Sequence, residues 1–183
     1  MFAGCDHKPM EASDFTKADS LTETYLALQD TMLEVWNTMI HDDNRKIKAM
    51  HSLLHELTVS LPEKRDELEG YQARLDELLT LRYDQHSMWD ADIVTQYDFA
   101  SSSLVTELVA LAEAQTQFPY NTTLQKLVDS IRAADERVMN YRLEYDEVAS
   151  RFNGFIERNK NQLDDIDLDS FLEKKPLFQM AAE

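Results

Sequence analysis

Residues 122–155 read TTLQKLVDSIRAADERVMNYRLEYDEVASRFNGF. Leu127, Ala134, Tyr141, Val148 and Phe155 recur every seven residues, and Leu124, Ile131, Val138, Tyr145 and Phe152 form a parallel set. Two adjacent seven-residue tracks give a helix a broad apolar face, enough to pack against two neighbours in a bundle. The helix is expected to run about 35 residues, roughly 50 Å of rise. Thr122-Thr-Leu-Gln125 is a capping-box pattern at its start. Asn121-Thr-Thr also matches a glycosylation sequon, but a helix start accounts for both polar residues at once. Tyr141, Tyr145, Phe152 and Phe155 lie at core spacing and read as packing rather than as a cofactor box.

Weaker stripes of the same kind lie upstream. Leu21, Tyr25, Leu28, Met32, Val35, Trp36 and Met39 recur in three-and-four steps, and Ile47, Met50, Leu53, Leu54 and Leu57 resume them. His41-Asp42-Asp43-Asn44 interrupts that stripe, as a wider polar face or a local kink would. Ser60-Leu61-Pro62-Glu63 reads as a break and restart, with Ser60 as cap, Pro62 in a first turn and Glu63 closing a capping box. Leu68, Tyr71, Leu75, Leu78 and Leu79 form the next stripe, which Tyr83 extends. A turn is expected within His86–Asp92. Ile93, Tyr97, Leu104, Leu108, Leu111 and Ala112 form another stripe, which stops before Phe118-Pro119 because proline disfavours helix at the preceding residue. Beyond Lys160 the periodicity ends, and Phe171, Leu172, Leu177 and Phe178 are apolar anchors expected to pack back. The fold predicted is all-α: an antiparallel bundle of three to four long helices with a short docked C-terminal tail. Residues 1–19 are polar and aperiodic and read as a flexible tether, with the bundle domain over 20–183.

Composition agrees. The chain has 183 residues, three glycines and four prolines, so long helices outweigh turns. Its net charge of −17 repels phosphate backbones, which excludes nucleic acid as a natural partner. The single cysteine allows no internal disulfide and no CxxC metal site. No apolar run approaches the ~20 residues that a membrane-spanning helix needs.

The candidates for chemistry are thin. His51 and His55 share a helix face at metal-ligand spacing, but two ligands make no site and HSLLH lacks the base of HExxH. They read as structural histidines. Di-iron bundles carry Glu-x-x-His on two helices, and no Glu here is followed three residues later by His. Asp165, Asp167 and Asp169 imitate the first ligands of a calcium loop, but Ser170 and Pro176 stand where that loop needs Gly and Glu. There is no G-x-S-x-G and no phosphate-cradling glycine loop. No catalytic residue, metal ligand or cofactor is therefore assigned.

Phe2-Ala3-Gly4-Cys5 resembles the end of a bacterial lipoprotein signal, in which the cysteine becomes the first mature residue and carries the lipid. DHKPMEASDFTKADS then suits a tether. The charged and apolar parts of such a signal do not precede it, which implies a leader upstream and Met1 as an internal or added residue. On this reading Cys5 is the lipid attachment site, and several acyl chains at ~0.8 kcal/mol per buried CH₂ hold the domain on a membrane.

The helical portion, about residues 20–180, resembles the LemA family of bacterial envelope proteins. Trp36 is followed by Arg45 and Lys46 at the family's spacing, with Leu53-Leu54 where its Leu-Val falls. Lys48-Ala-Met-His-Ser52 departs from the family's Asp-Leu-Ile-Pro-Asn run. Glu113-Ala114 and Phe118-Pro119 echo its Glu-Ala-Tyr-Pro. Asp135-Glu-Arg-Val138, Arg142, Tyr145-Asp146 and Phe152-Asn153 follow the register of its last helix, and Pro176-Leu177-Phe178 matches its closing Pro-x-Phe. The resemblance implies a divergent member: an all-α bundle held at a membrane by its N-terminus, outside the cytoplasm, with no catalytic residues to carry over.

The function expected is a lipid-anchored, extracytoplasmic binding or scaffolding module of the bacterial envelope, periplasmic or surface-facing. Its partners would be the membrane, through lipid on Cys5, and an envelope protein. The alternatives are a metal-binding or enzymatic four-helix bundle and an unlipidated cytosolic adaptor.

Overall fold

A computed structural model of the chain describes residues 12–164 and 172–178. Its helices are α1 (Ala12–Ser60), α2 (Arg65–Thr80), α3 (Ala91–Glu113) and α4 (Thr122–Asp164). Short 3₁₀ turns at Pro62–Lys64, Ser87–Trp89 and Phe118–Tyr120 make the three corners, and no strand occurs among the described residues. The chain is an all-α bundle.

The helices differ greatly in length. α1 has 49 residues and α4 has 43, whereas α2 has 16 and α3 has 23. α1 and α4 run antiparallel along each other: Tyr25 meets Phe152, Trp36 meets Tyr145, and Asp42 meets Arg137. α2 returns along only the later half of α1, where Gln72 reaches His51 and Arg82 reaches Asp43. α3 lies antiparallel to both α2 and α4, through Arg74–Glu107 and Arg132–Glu113. The molecule is therefore a four-helix head continued by a two-helix stalk.

Three apolar clusters match that division. The head is filled by residues such as Met50, Leu53, Leu57, Leu75, Leu78, Leu104, Leu108 and Ile131. At the junction Met32, Trp36, Met39, Met88, Tyr145 and Val148 pack together, and Leu177 and Phe178 lie against them. In the stalk Tyr25, Phe152, Phe155, Ile156 and Leu163 pack, with Leu172 alongside. Each fully buried large apolar side chain contributes about 1.5–3 kcal/mol. One heptad track records the change from head to stalk. Leu54 and Ile47 are buried, Ile40 is half-buried, and Leu33 and Leu26 are 46% and 48% exposed.

Several local expectations shift. α1 begins at Ala12, not near Ser20. No glycine or proline stands between Pro9 and Pro62, so the helix extends beyond its apolar stripe. The polar patch at 41–44 does not interrupt α1, because Asp42 and Asp43 turn inward to cations. Ser60 closes α1 rather than capping a new helix: neither the Pro62 turn nor α2 has a side-chain cap. At α4 the cap is Asn121, whose Oδ1 accepts from the backbone N–H of Thr123 and of Leu124 at 3.1 Å each. Gln125 instead donates to the Pro119 carbonyl at 3.1 Å. The cap is thus one residue ahead of Thr122, and α4 runs to Asp164.

Candidate functional site

Two features stand out from the apolar packing, and they adjoin each other at the junction of head and stalk. The first is a polar layer. Asp43 accepts from the Tyr97 hydroxyl at 2.6 Å and from Arg82 at 2.9 Å, and its other oxygen lies 3.4 Å from Lys46 Nζ. Lys46 donates to Ser101 Oγ at 2.9 Å and to Asp135 at 3.3 Å. Asp42 receives a two-bond fork from Arg137 at 2.7 and 3.0 Å. A space of about 10 Å³ remains among Met39, Asp42, Asp43, Lys46 and Tyr141, room for about one water. Lys46 and Asp42 are each only 4% exposed, and charges so buried persist only when paired. Burial and the Asp43 carboxylate together push the Tyr97 phenol far above its usual range. These side chains neutralise one another, so the layer fixes how the helices align and presents no free acid or base.

The second feature is a groove along α4, which starts in the stalk and ends at the junction beside Trp36 and Tyr83, occupied by the chain's own residues 172–178. Asn153 Oδ1 accepts from the Lys175 backbone N–H at 2.6 Å, while its Nδ2 donates to the Lys175 carbonyl at 2.8 Å. Asp146 Oδ1 accepts from the Phe178 backbone N–H at 2.7 Å. Pro176 is buried between these clips. The Phe178 ring enters a socket of aromatic rings: Trp36 stacks at 6.4 Å, with Tyr83 and Tyr145 edge-on at 5.8 and 5.6 Å. The Arg142 guanidinium carbon lies 4.8 Å from the Phe178 ring centre, a cation–π contact. Asp98 holds that guanidinium through a fork at 2.6 and 2.7 Å, and the Tyr83 hydroxyl accepts from it at 3.0 Å. Burial works against the charge of Arg142, but the bonds to Asp98 and Tyr83 outweigh it and raise its pKa. A cavity of about 250 Å³ opens beside the segment, between Trp89, Val94, Thr95, Asp98, Arg142 and Pro176.

The candidates taken from the sequence lie elsewhere. His51 is half-buried, its Nδ1 3.2 Å from Gln72 Nε2, and His55 is exposed one turn on. Among the described residues no three His, Cys, Asp or Glu side chains are placed to hold a metal ion, and no helix is long and apolar enough to cross a membrane. Cys5, the Asp165, Asp167 and Asp169 set, and Phe171 lie outside the described residues. Leu172, Leu177 and Phe178 pack onto the bundle, and Tyr145, Phe152 and Phe155 are core residues. Sequence reasoning missed Asp42, Asp43, Tyr83, Asp98, Asp146 and Asn153 as working groups. One signal was available: Tyr145-Asp146 and Phe152-Asn153 repeat an aromatic followed by a short polar side chain at seven-residue spacing, and a Pro-x-Phe, Pro176-Leu177-Phe178, lies near the C-terminus.

No family model matches the chain, and neither a curated protein nor a solved structure matches it.

Proposed function

We propose that this protein is a lipid-anchored binding or scaffolding module of the bacterial cell envelope, facing away from the cytoplasm and not itself an enzyme. The observation that carries the binding role is the groove, where α4 side chains hold the backbone of another segment and an aromatic socket takes its side chain. Such an arrangement recognises a chain without transforming it. The anchor rests on Phe2-Ala3-Gly4-Cys5, with Cys5 as lipid site, and on the polar stretch behind it. The resemblance to the LemA family supports the same location. It is carried partly by Lys46, Asp135, Arg142, Asp146, Asn153 and Phe178, residues that also build the polar layer and the groove.

The test is the intact mass of the protein made in a bacterium from its complete reading frame. A product beginning at Cys5 with a diacyl or triacyl increment is expected, and it should sediment with membranes. An unmodified chain retaining Met1 would return the protein to the cytosol as an adaptor.

A further inference from the structure

The cavity beside the docked segment holds about 250 Å³. A dry cavity of about 150 Å³ admits benzene, so this one has room for a single ring with a short substituent. Buried Met88, Arg142 and Pro176 form its inner wall, and exposed Trp89 and Thr95 form its outer one. The polar atoms it offers are acceptors. The Thr95 hydroxyl donates to the Ala91 carbonyl at 2.9 Å, so its oxygen is left to accept. Asp98 gives each carboxylate oxygen to one bond from Arg142, and a carboxylate has about four lone-pair sites. The guanidinium that balances Asp98 is covered. It packs against the rings of Phe178 and Tyr83, and its side chain is 7% exposed against 41% for the carboxylate. A guest therefore meets a carboxylate, a hydroxyl oxygen and the Trp89 indole, which is 62% exposed. Surplus acceptors beside an aromatic ring suit a protonated amine, which brings donors and a charge together.

We propose that this cavity binds a small organic ammonium compound, a protonated primary amine on a single ring, and that the docked C-terminal segment is one of its walls. Asp98 and Thr95 take the ammonium hydrogens, and Trp89, Val94 and Pro176 enclose the ring. Pro176, Leu177 and Phe178 line the cavity only while the segment is docked, so the ligand binds the docked form and holds it there. The proposal adds a small-molecule ligand to the binding role and does not depend on the envelope location.

The probe is benzylamine, titrated into the full chain at about physiological ionic strength and followed by amide and indole NMR shifts. Benzyl alcohol and benzoate, of the same shape, are the comparisons. Benzylamine is expected to saturate, with shifts centred on Trp89, Val94, Thr95 and Asp98. Benzyl alcohol, which lacks the charge, should bind roughly tenfold more weakly, and benzoate more weakly still. Trp89→Ala and Thr95→Val change exposed side chains, and each should weaken benzylamine about threefold at an unchanged melting temperature. At about ten times its dissociation constant, benzylamine should slow hydrogen exchange at the Lys175 and Phe178 amides several-fold. Equal binding of amine and alcohol, a preference for benzoate, or shifts that scatter over the surface without saturating overturn the proposal. So do variants that bind like the wild type, or tail amides that exchange equally fast with and without benzylamine. These measurements need no lipid, so their failure is separable from failure of the envelope reading, which the intact mass decides.

Discussion

Asp43 shows how much a single side chain can hold. It accepts from Tyr97 and Arg82 and faces Lys46, so three elements converge on one carboxylate. Asp43→Ala strands Arg82 and a buried phenol, while Lys46 keeps Asp135 and Ser101. Breaking a buried pair from one side costs about 3–5 kcal/mol, so the urea midpoint should fall sharply at unchanged slope. Tyr145 makes the opposite case. Its ring is fully buried, and its hydroxyl has no hydrogen-bond partner among the described residues. Burial first, and then the neighbouring Asp146, push this phenol up to about 12. Removing an unpartnered buried hydroxyl relieves a desolvation penalty of about 1–3 kcal/mol, so Tyr145→Phe should leave stability unchanged or raise it. A clear loss would mean that the hydroxyl has a partner. Neither role is legible in the sequence: Asp43 sits in a patch that reads as solvent-facing, and periodicity places Tyr145 inside without indicating its hydroxyl's environment.

Among elements, α2 and α3 are joined by a solvent-side fork, Arg74 to Glu107 at 2.6 and 2.8 Å. The hydrogen bonds from Arg74 and then Ser103 lower the Glu107 carboxyl from 4.5 to about 2. A depressed folded-state value means that the stabilisation is present above about pH 4.5 and is lost as pH falls towards 2. The pair is over a third exposed, so screening limits it to about 1 kcal/mol or less. Glu107→Gln should therefore lower the melting temperature at pH 7 and converge with the wild type near pH 2. Gly70 offers a gain in α2, since an added Cβ would meet nothing within 4 Å. Gly70→Ala should stabilise by about 0.5–1 kcal/mol, a rise in melting temperature of a few degrees. The helices themselves were readable, because stripes at three-and-four spacing survive any partner. Their ends were less so: the α4 cap fell to Asn121 rather than Thr122, the better capping residue of the two, because the Thr122–Gln125 box pattern points one residue further on.

Over the whole molecule, the unequal helix lengths decide where order is deepest. The head buries its core between four helices, whereas the stalk has two helices and a seven-residue segment laid across them. Backbone amides of α1 over residues 21–39 should therefore exchange hydrogen faster than those over 46–57. Phe178→Ala should accelerate only the former; uniform acceleration would show that head and stalk open as one unit. The sequence disclosed an antiparallel bundle with a docked tail, because heptad tracks and the terminal Pro-x-Phe are local signals. It could not disclose that α2 and α3 stop halfway along α1, nor that Asp42 meets Arg137 across 95 residues, because such pairings depend on tertiary register. The spacing of the groove clips has one more consequence. Seven helical residues and three extended ones share nearly the same length, so the stalk has a rule for growth. An insertion of one residue would rotate the seam by about 100° and turn both clips away. Relatives with a longer or shorter stalk should therefore differ by whole heptads in α1 and α4 together, with three residues added or lost in the tail for each.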